Sequence, residues 1–404
     1  MKFYSTELEN GLRVIAECSP AASSSALGFF VKTGSRDEFS KELGLSHFLE
    51  HMLFKGTEKR SALDVSRDLS AIGAQANAFT SEENTVYYAS VLPEHFADAF
   101  EIIADMMSPK LDKAEFDLER KVILEEISLY RDRPYHVLFE AAMKQYYGEN
   151  PLGNSVLGSY ESISAMEHET MRAYFERRYK TSNMVVAASG NVDWERLVSL
   201  ASEHCSSWLD APCPRKVSRH FASQTEVELR SDNTKQCYVC FCAAGPSSSE
   251  SFRYPMRLVS TVMGAASTSR VHWELIDKGL VESAAIDLDE MEGDGIHYGY
   301  LGTSSEKLEE AQAILAGIMD TPLDFSTEDL ERAKIKFATS FALEAESPMK
   351  RLMTVAFNYL YRGEYLSLQR ELELVRSVCM RDVEEALECY PTSPKSLTRL
   401  LPGG

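Results

Sequence analysis

NTVYYASVLPEHFADAFEIIADMM, residues 84–107, reads as a strand, a turn at Pro93 and an amphipathic helix. Residues 295–320, GIHYGYLGTSSEKLEEAQAILAGIMD, read the same way. A second echo follows each, DLERKVIL at 117–124 and DLERAKIKF at 329–337. Tyr88 to Tyr298 is a shift of 210 residues and Glu119 to Glu331 a shift of 212, so the two echoes agree. Two amphipathic segments resemble each other by chance more easily than two pairs share one offset. The pattern predicts two duplicated lobes of about 200 residues each, an ordinary domain size.

Working outward, LRVIAE (12–17), SALGFFVKTG (25–34) and NMVVAASGNV (183–192) are strand-like in the first half. QCYVCFCAAG (236–245) and HYGYLGTS (297–304) are strand-like in the second. Strands and helices mix in both halves, so the fold class is α+β, each lobe a mixed, mainly antiparallel sheet packed against helices. SSWLDAPCPRKVSRHFASQ (206–224) has two prolines, a basic cluster and no sustained periodicity. The expected division is a lobe at 1–210, a linker at 211–224 and a second lobe at 225–404.

The 404 residues carry 62 acidic and 42 basic side chains, a formal charge of −20, and the pI is about 5.0. That balance excludes the clustered basic footprint of a nucleic-acid binder and disfavours an anionic membrane surface. It leaves a cationic ligand or plain solubility as its meaning. Residues 285–310 hold eight acidic side chains and one lysine, a net −7. If that stretch faces a substrate cavity it favours cationic peptides; if it faces solvent it is only solubility. The start, MKFYSTELENGLRVIAE, has no apolar run of roughly 7–15 residues behind a basic end. No apolar stretch of about 18 residues that could span a bilayer is present either. The eight cysteines are scattered, and only Cys237 and Cys240 have ligand-like spacing, inside an apparent buried strand with Cys240 and Cys242 on one face. The expectation is a cytoplasmic protein with reduced core cysteines.

The chemistry concentrates in GLSHFLEHMLFKGT, residues 44–57. On a helix, at about 100° per residue, His47, Glu50 and His51 fall within an arc of about 100°. Phe48, Leu49, Met52 and Leu53 fill the other side, so packing does not need the histidines. Two imidazoles four residues apart converge on one point and suit two nitrogen ligands of a tetrahedral zinc, with Glu50 beside it to take a proton from water. Taken alone, this spacing is open between a metal site and a solvated polar face.

A third ligand is expected downstream. KAEFDLERKVILEEISLYRD, residues 113–132, is a patterned helix with Asp112 as N-cap and Glu115 three residues on. Phe116, Glu119, Val122, Ile123, Glu126, Ile127 and Tyr130 share one face, while Glu125 lies on the other. An ionised carboxylate on an apolar stripe needs a cation, a donor or a metal. Glu126 is the candidate third ligand, and Glu119 the candidate partner that orients a histidine. The seven other histidines receive no role.

With NGLRV (10–14), GSRDE (34–38), GAQANAFTS (73–81) and ERKVILEE (119–126), these residues make the whole chain resemble the pitrilysin family of inverted-zincin peptidases. At this length it is most similar to the bacterial processing-peptidase-like subfamily. The resemblance implies zinc held by His47, His51 and Glu126, with Glu50 as general base and Glu119 behind the site. It implies a zinc metalloendopeptidase acting on peptides or unfolded polypeptide, one that pairs as a homodimer or heterodimer to enclose a chamber. In such proteins the segment matching Asn77, Ala78 and Phe79 is an edge strand that takes extended substrate; an ordinary strand end is the plainer reading.

A shift of 211 puts Leu258, Val262 and Phe337 where His47, His51 and Glu126 stand, which implies one zinc per chain. The family's second-lobe arginine and tyrosine, which contact substrate or the tetrahedral intermediate, are replaced in SRVHWELIDKGLVES (269–283) by Ile276 and Glu282. That departure keeps open a non-catalytic or partner-dependent subunit. A metal-dependent hydrolase of small non-peptide substrates is a further alternative.

Overall fold

The computed structural model describes residues 1–221, 223–264, 268–320 and 325–403. Along the first half run β1 (Lys2–Glu7), β2 (Arg13–Cys18), β3 (Ser25–Val31), α1 (Leu45–Leu53), β4 (Gln75–Thr80) and β5 (Thr85–Val91). Then come α2 (Phe96–Met106), α3 (Lys113–Arg131), α4 (Pro134–Tyr147), β6 (Met184–Gly190) and α5 (Trp194–Cys205). The second half has β7 (Thr225–Ser231), β8 (Cys237–Ala244), α6 (Arg253–Met263), β9 (Ser283–Met291) and β10 (Asp294–Thr303). It ends with α7 (Leu308–Asp320), α8 (Thr327–Glu344), α9 (Pro348–Arg362) and β11 (Ser396–Pro402), and further helices join these elements.

Two mixed sheets form, ordered β1-β2-β6-β3-β5-β4 and β7-β11-β8-β10-β9. One pair in each is parallel, β2 with β6 and β7 with β11, and the others are antiparallel. Without β1, the first sheet is the second strand for strand. β7, β8 and β11 each begin 212 residues after β2, β3 and β6, the offset of the sequence echoes. The α+β class and the duplication are thus both present in the fold. Among the described residues no helix is long and apolar enough to cross a membrane.

The compact units do not follow the linear halves. One comprises Met1–Ile127, Asn154–Lys216 and Leu343–Leu366; the other comprises Ser128–Gly153, Val217–Ala342 and Ser367–Gly404. This differs from the expected division at 1–210, 211–224 and 225–404: each unit holds one helix from the other half of the chain. The reason is apolar matching. Leu138, Ala142 and Tyr146 of α4 cluster with Tyr238, Cys240 and Cys242 of β8. Leu352, Val355, Ala356 and Leu360 of α9 cluster with Ala26 and Phe30 of β3. Periodicity shows that such a helix has an apolar face but not which sheet covers it.

Both central strands are buried on two faces and so lack alternation. In β3, Phe30 meets Phe357 of α9 on one side while Phe29 meets Phe100 of α2 on the other. In β8, Cys240 and Cys242 face α4, whereas Val239, Phe241 and Ala243 face the core of α6 and α7. Cys237 and Cys240 therefore lie on opposite faces and cannot form a ligand pair. The expectation of core cysteines fails at Cys379 and Cys389, which are exposed at the two ends of helix Met380–Cys389.

The exchanged helix α9 is anchored by charge. Arg351 sends Nε and Nη2 to the two carboxylate oxygens of Glu17 on β2, both at 2.7 Å, and both side chains are buried. Arg351 also donates to Leu366 O at 3.0 Å, and the Tyr365 hydroxyl donates to Glu17. Removing one partner strands a buried charge. Arg351→Ala is expected to lower unfolding free energy in urea by about 3–5 kcal/mol, with Glu17→Leu/Arg351→Met recovering most of it. A loss under about 1 kcal/mol for Arg351→Ala would show that the pair does not hold the helix.

Candidate metal centre

The helix that carries His47, Glu50 and His51 is fixed at its start by glycine and a buried acid. Gly44, the N-cap of α1, has φ 89°, and a Cβ there would lie 2.5 Å from Leu157 O. Both the left-handed backbone and the close approach call for glycine. Glu38 of the GSRDE stretch accepts from the amides of Gly44 at 2.8 Å and Ser46 at 2.6 Å, satisfying donors that a helix start leaves open. Burial nevertheless pushes its carboxyl up to about 8. Beyond this cap, Leu45, Phe48, Leu49, Met52 and Leu53 are buried, and His47, Glu50 and His51 share the remaining face.

The second helix, α3, begins as the sequence reading had it. Asp112 Oδ1 accepts from Ala114 N at 2.8 Å and Glu115 N at 3.3 Å. The residue before it, Leu111, has φ 49°, a left-handed backbone that a leucine adopts only under constraint. Its carbonyl accepts from His168 Nε2 at 2.6 Å and Arg172 Nη2 at 3.0 Å, which hold the turn. His168, one of the histidines without a role in the sequence reading, thus sets the register of α3. Phe48 stacks on Phe116 with centroids 4.7 Å apart and joins the two helices. Val122 is a correction: it was placed on the inward face but is 46% exposed. It lies at the edge of the arc, while Glu119 and Ile123 are buried.

The helices bring together one ligand atom each from His47, His51 and Glu126, all within 4.8 Å of one another. Glu126 Oε2 lies 3.9 Å from His47 Nε2 and 3.6 Å from His51 Nε2. Tetrahedral zinc, with bonds of about 2.0–2.1 Å, needs ligand atoms about 3.3 Å apart, so both Glu126 separations lie within a few tenths of an ångström of that spacing, and the imidazoles would draw together on binding. Behind it, His51 Nδ1 lies 2.9 Å from Glu119 Oε1, and Lys55 Nζ lies 2.6 Å from the other oxygen of Glu119. With Nδ1–H donating to Glu119, His51 presents the Nε2 lone pair to the centre. Glu125 is exposed, as expected.

The electrostatics suit ligation. Burial, with His51 close by, lowers the His47 pKa to about 3 and keeps its imidazole neutral. For His51, burial acts downward, but the Glu119 bond and the nearby Glu126 outweigh it and the net shift is upward. For Glu119, burial acts upward, yet the bonds from His51 and Lys55 hold it below its ordinary value. Burial raises Glu50, against the opposing bond that Thr80 Oγ1 donates to Glu50 Oε2 at 2.6 Å. Thr80 ends β4, the outermost strand of its sheet, which also carries Asn77, Ala78 and Phe79 paired with Tyr88, Tyr87 and Val86 of β5. Asn77 is exposed and Ala78 buried, while the Phe79 ring packs among Tyr88 and Phe357.

Sequence reasoning missed Glu38, Lys55, Thr80 and His168. Lys55 lies one helical turn beyond His51 and so was findable; Glu38 caps a helix six to eight residues on without a periodic signal, and Thr80 and His168 act across long chain separations. In the second repeat, Leu258 is buried, and Val262, Phe337 and Ile276 pack against the same apolar cluster. Glu282 is exposed. In the acidic 285–310 stretch, Glu290 is bonded to Arg257 at 2.5 and 2.7 Å, and Asp294 is buried and accepts from Gly295 N. Part of that charge is therefore structural.

Residues 13–159 match the family model for insulinase, peptidase family M16, and residues 165–337 match the peptidase M16 inactive domain. The chain belongs to this family, the pitrilysin family of peptidases. An uncharacterized zinc protease of Mycobacterium tuberculosis is 32% identical over 389 residues, covering 94% of this chain and 88% of that protein. The uncharacterized zinc protease YmxG of Bacillus subtilis is 29% identical, covering 98% and 97%. In fold, a protease from Helicobacter pylori matches with a TM-score of 0.91 at 20% identity, over 99% of both chains. A peptidase M16 inactive domain from Pseudomonas fluorescens also matches at 0.91, with 15% identity over 100% of this chain and 99% of that one.

The Glu38 cap has a pH consequence. The folded chain holds its proton up to about 8, against an ordinary value of 4.5, so between these the folded state binds more protons than the unfolded state. This group alone therefore makes stability fall as pH rises through that window. Urea unfolding at about pH 5.5 and about pH 8 is expected to show a smaller fall for Glu38→Gln than for wild type. An equal or steeper fall in the variant would contradict this assignment.

Proposed function

We propose that the chain is a zinc-dependent endopeptidase that hydrolyses extended peptides or unfolded segments, with one zinc held by His47, His51 and Glu126. The observation that carries this reading is the convergence of those three ligand atoms within 4.8 Å, with the glutamate of the same helix beside them. When bound, zinc would polarise the scissile carbonyl and acidify the attacking water. Glu50 takes a proton from that water and delivers it to the leaving amine, a role that suits its raised pKa. Thr80 holds the Glu50 carboxylate in place, and Lys55 and Glu119 hold His51.

Main-chain groups of β4 at Asn77, Ala78 and Phe79 take the substrate as an added strand, which selects extended backbone over sequence. Ile276 and Glu282 do not supply the cationic and hydroxyl donors that would stabilise charge in the transition state, so a different, related subunit provides them and completes the chamber. The same two residues favour the second reading, a non-catalytic subunit of a processing-peptidase-like heterodimer. Eight thiols with no disulfide among the described residues suit the cytoplasm as the working compartment.

Glu50→Gln is expected to retain zinc and lose peptide turnover by about 10²–10⁴-fold in a quenched-peptide assay. Undiminished turnover would remove Glu50 from the mechanism. His51→Ala is expected to lose stoichiometric zinc, and Glu119→Gln to bind zinc about 10–100-fold more weakly in a competition titration. Wild-type zinc content and affinity in both variants would overturn the ligand set. Full zinc with no turnover, alone or with any related subunit, would favour the non-catalytic reading.

A further inference from the structure

The second repeat has a cavity beside the helices that correspond to those of the candidate metal centre, and cations predominate in its lining. A shift of 211 residues carries Glu50, His51 and Glu126 to Thr261, Val262 and Phe337, so the general base and the ligands are gone, while Glu331 keeps the place of Glu119 in the repeated DLER. Between α6 and α8, in the places that α1 and α3 hold in the first repeat, lies a cavity of about 420 Å³. Its walls carry three cations, Arg270, Arg332 and Lys336, and one carboxylate, Asp329.

That carboxylate is already engaged. Asp329 accepts from Ser326 N at 3.1 Å and Ser326 Oγ at 2.8 Å at the start of α8, and from Arg332 Nη2 at 2.6 Å. Lys336 donates to the Thr268 hydroxyl at the cavity wall. Arg332 also pairs with Glu328, Nη1 to Oε1 at 3.4 Å, yet three cations beside one carboxylate in the lining of one cavity do not follow from overall composition in a chain of formal charge −20. Guanidinium and ammonium donors at one cavity suit an oxyanion. The fourth element is Trp273, which lines the same cavity and is 51% exposed, offering a flat apolar wall. The volume lies in the range of small-ligand sites.

We propose that this cavity binds a small oxyanion, a carboxylate or a phosphate, carried on a planar or apolar group. Arg270 and Lys336 hold the oxyanion, and the indole of Trp273 covers the apolar part. The site uses neither the zinc nor the carboxylates of the first repeat, so it stands or falls separately from the peptidase reading.

Trp273 is one of only three tryptophans and gives a direct readout. In the full chain, N-acetylphenylalanine or inorganic phosphate is expected to produce a saturable change in tryptophan fluorescence that is lost in Trp273→Phe. The neutral N-acetylphenylalaninamide is expected to produce none. Arg270→Gln and Lys336→Gln are each expected to weaken anion binding about tenfold or more at an unchanged melting temperature. Raising salt from about 0.05 to about 0.5 M is expected to weaken it in the wild type, an arm that needs no variant. Stronger binding of N-acetylphenylalanine than of phosphate identifies a carboxylate ligand, and the reverse order a phosphate. No saturable change with either anion, an equal response to the amide, or binding insensitive to salt would overturn the proposal.

Discussion

Two glutamates on the inward face of α3 are the constraint on which the rest of the centre depends. A carboxylate taken out of water without a partner is far too costly to keep charged. Glu119 meets this cost with Lys55 and His51; Glu126 faces the two imidazoles. Both arrangements require α1 and α3 to meet in one register. The Phe48–Phe116 stack sets their separation, and the two helix starts set their axial positions. Glu38 and Gly44 fix one start; Asp112, with Leu111 held by His168 and Arg172, fixes the other. A slip of one residue at either start would turn the carboxylates away from the histidines.

The duplication makes that constraint visible by its absence. The second repeat has the same strand order, yet Leu258, Val262 and Phe337 stand at the ligand positions and join its apolar core. With Phe337 in place of the ligand carboxylate, Leu258 and Val262 in place of the histidines serve packing alone. Each unit also takes one helix from the other half of the chain, α4 in one case and α9 in the other. In the first unit, the buried Arg351–Glu17 pair holds that helix to the sheet that carries β4.

Much of this was legible in the sequence because it is local and periodic. The repeat offset, the central strands, the two helix faces and the pairing of His47 with His51 follow from spacings of two, about four and about 210 residues, while Glu126 was marked by a carboxylate on an apolar stripe and by the family resemblance. The covering sheets of α4 and α9 were not legible, since an apolar face does not name its partner. Glu38 and Thr80 act across gaps in the chain, and nothing in a short polar stretch marks an acid that will cap one helix or a hydroxyl that will steer one glutamate. His168 looked like any lone histidine because its task, holding a left-handed leucine carbonyl, exists only in three dimensions. Val122 and the two exposed cysteines show the opposite error: an apolar residue type was read as an inward position.

The central claim is that the metal sits on two imidazoles and a carboxylate, in a chain that also offers eight cysteines. Zinc K-edge absorption of the zinc-loaded full chain tests this most directly. The account predicts a nitrogen and oxygen shell at about 2.0–2.1 Å with the outer scattering of two imidazoles. A sulfur shell at about 2.3 Å, or the absence of imidazole scattering, would contradict it.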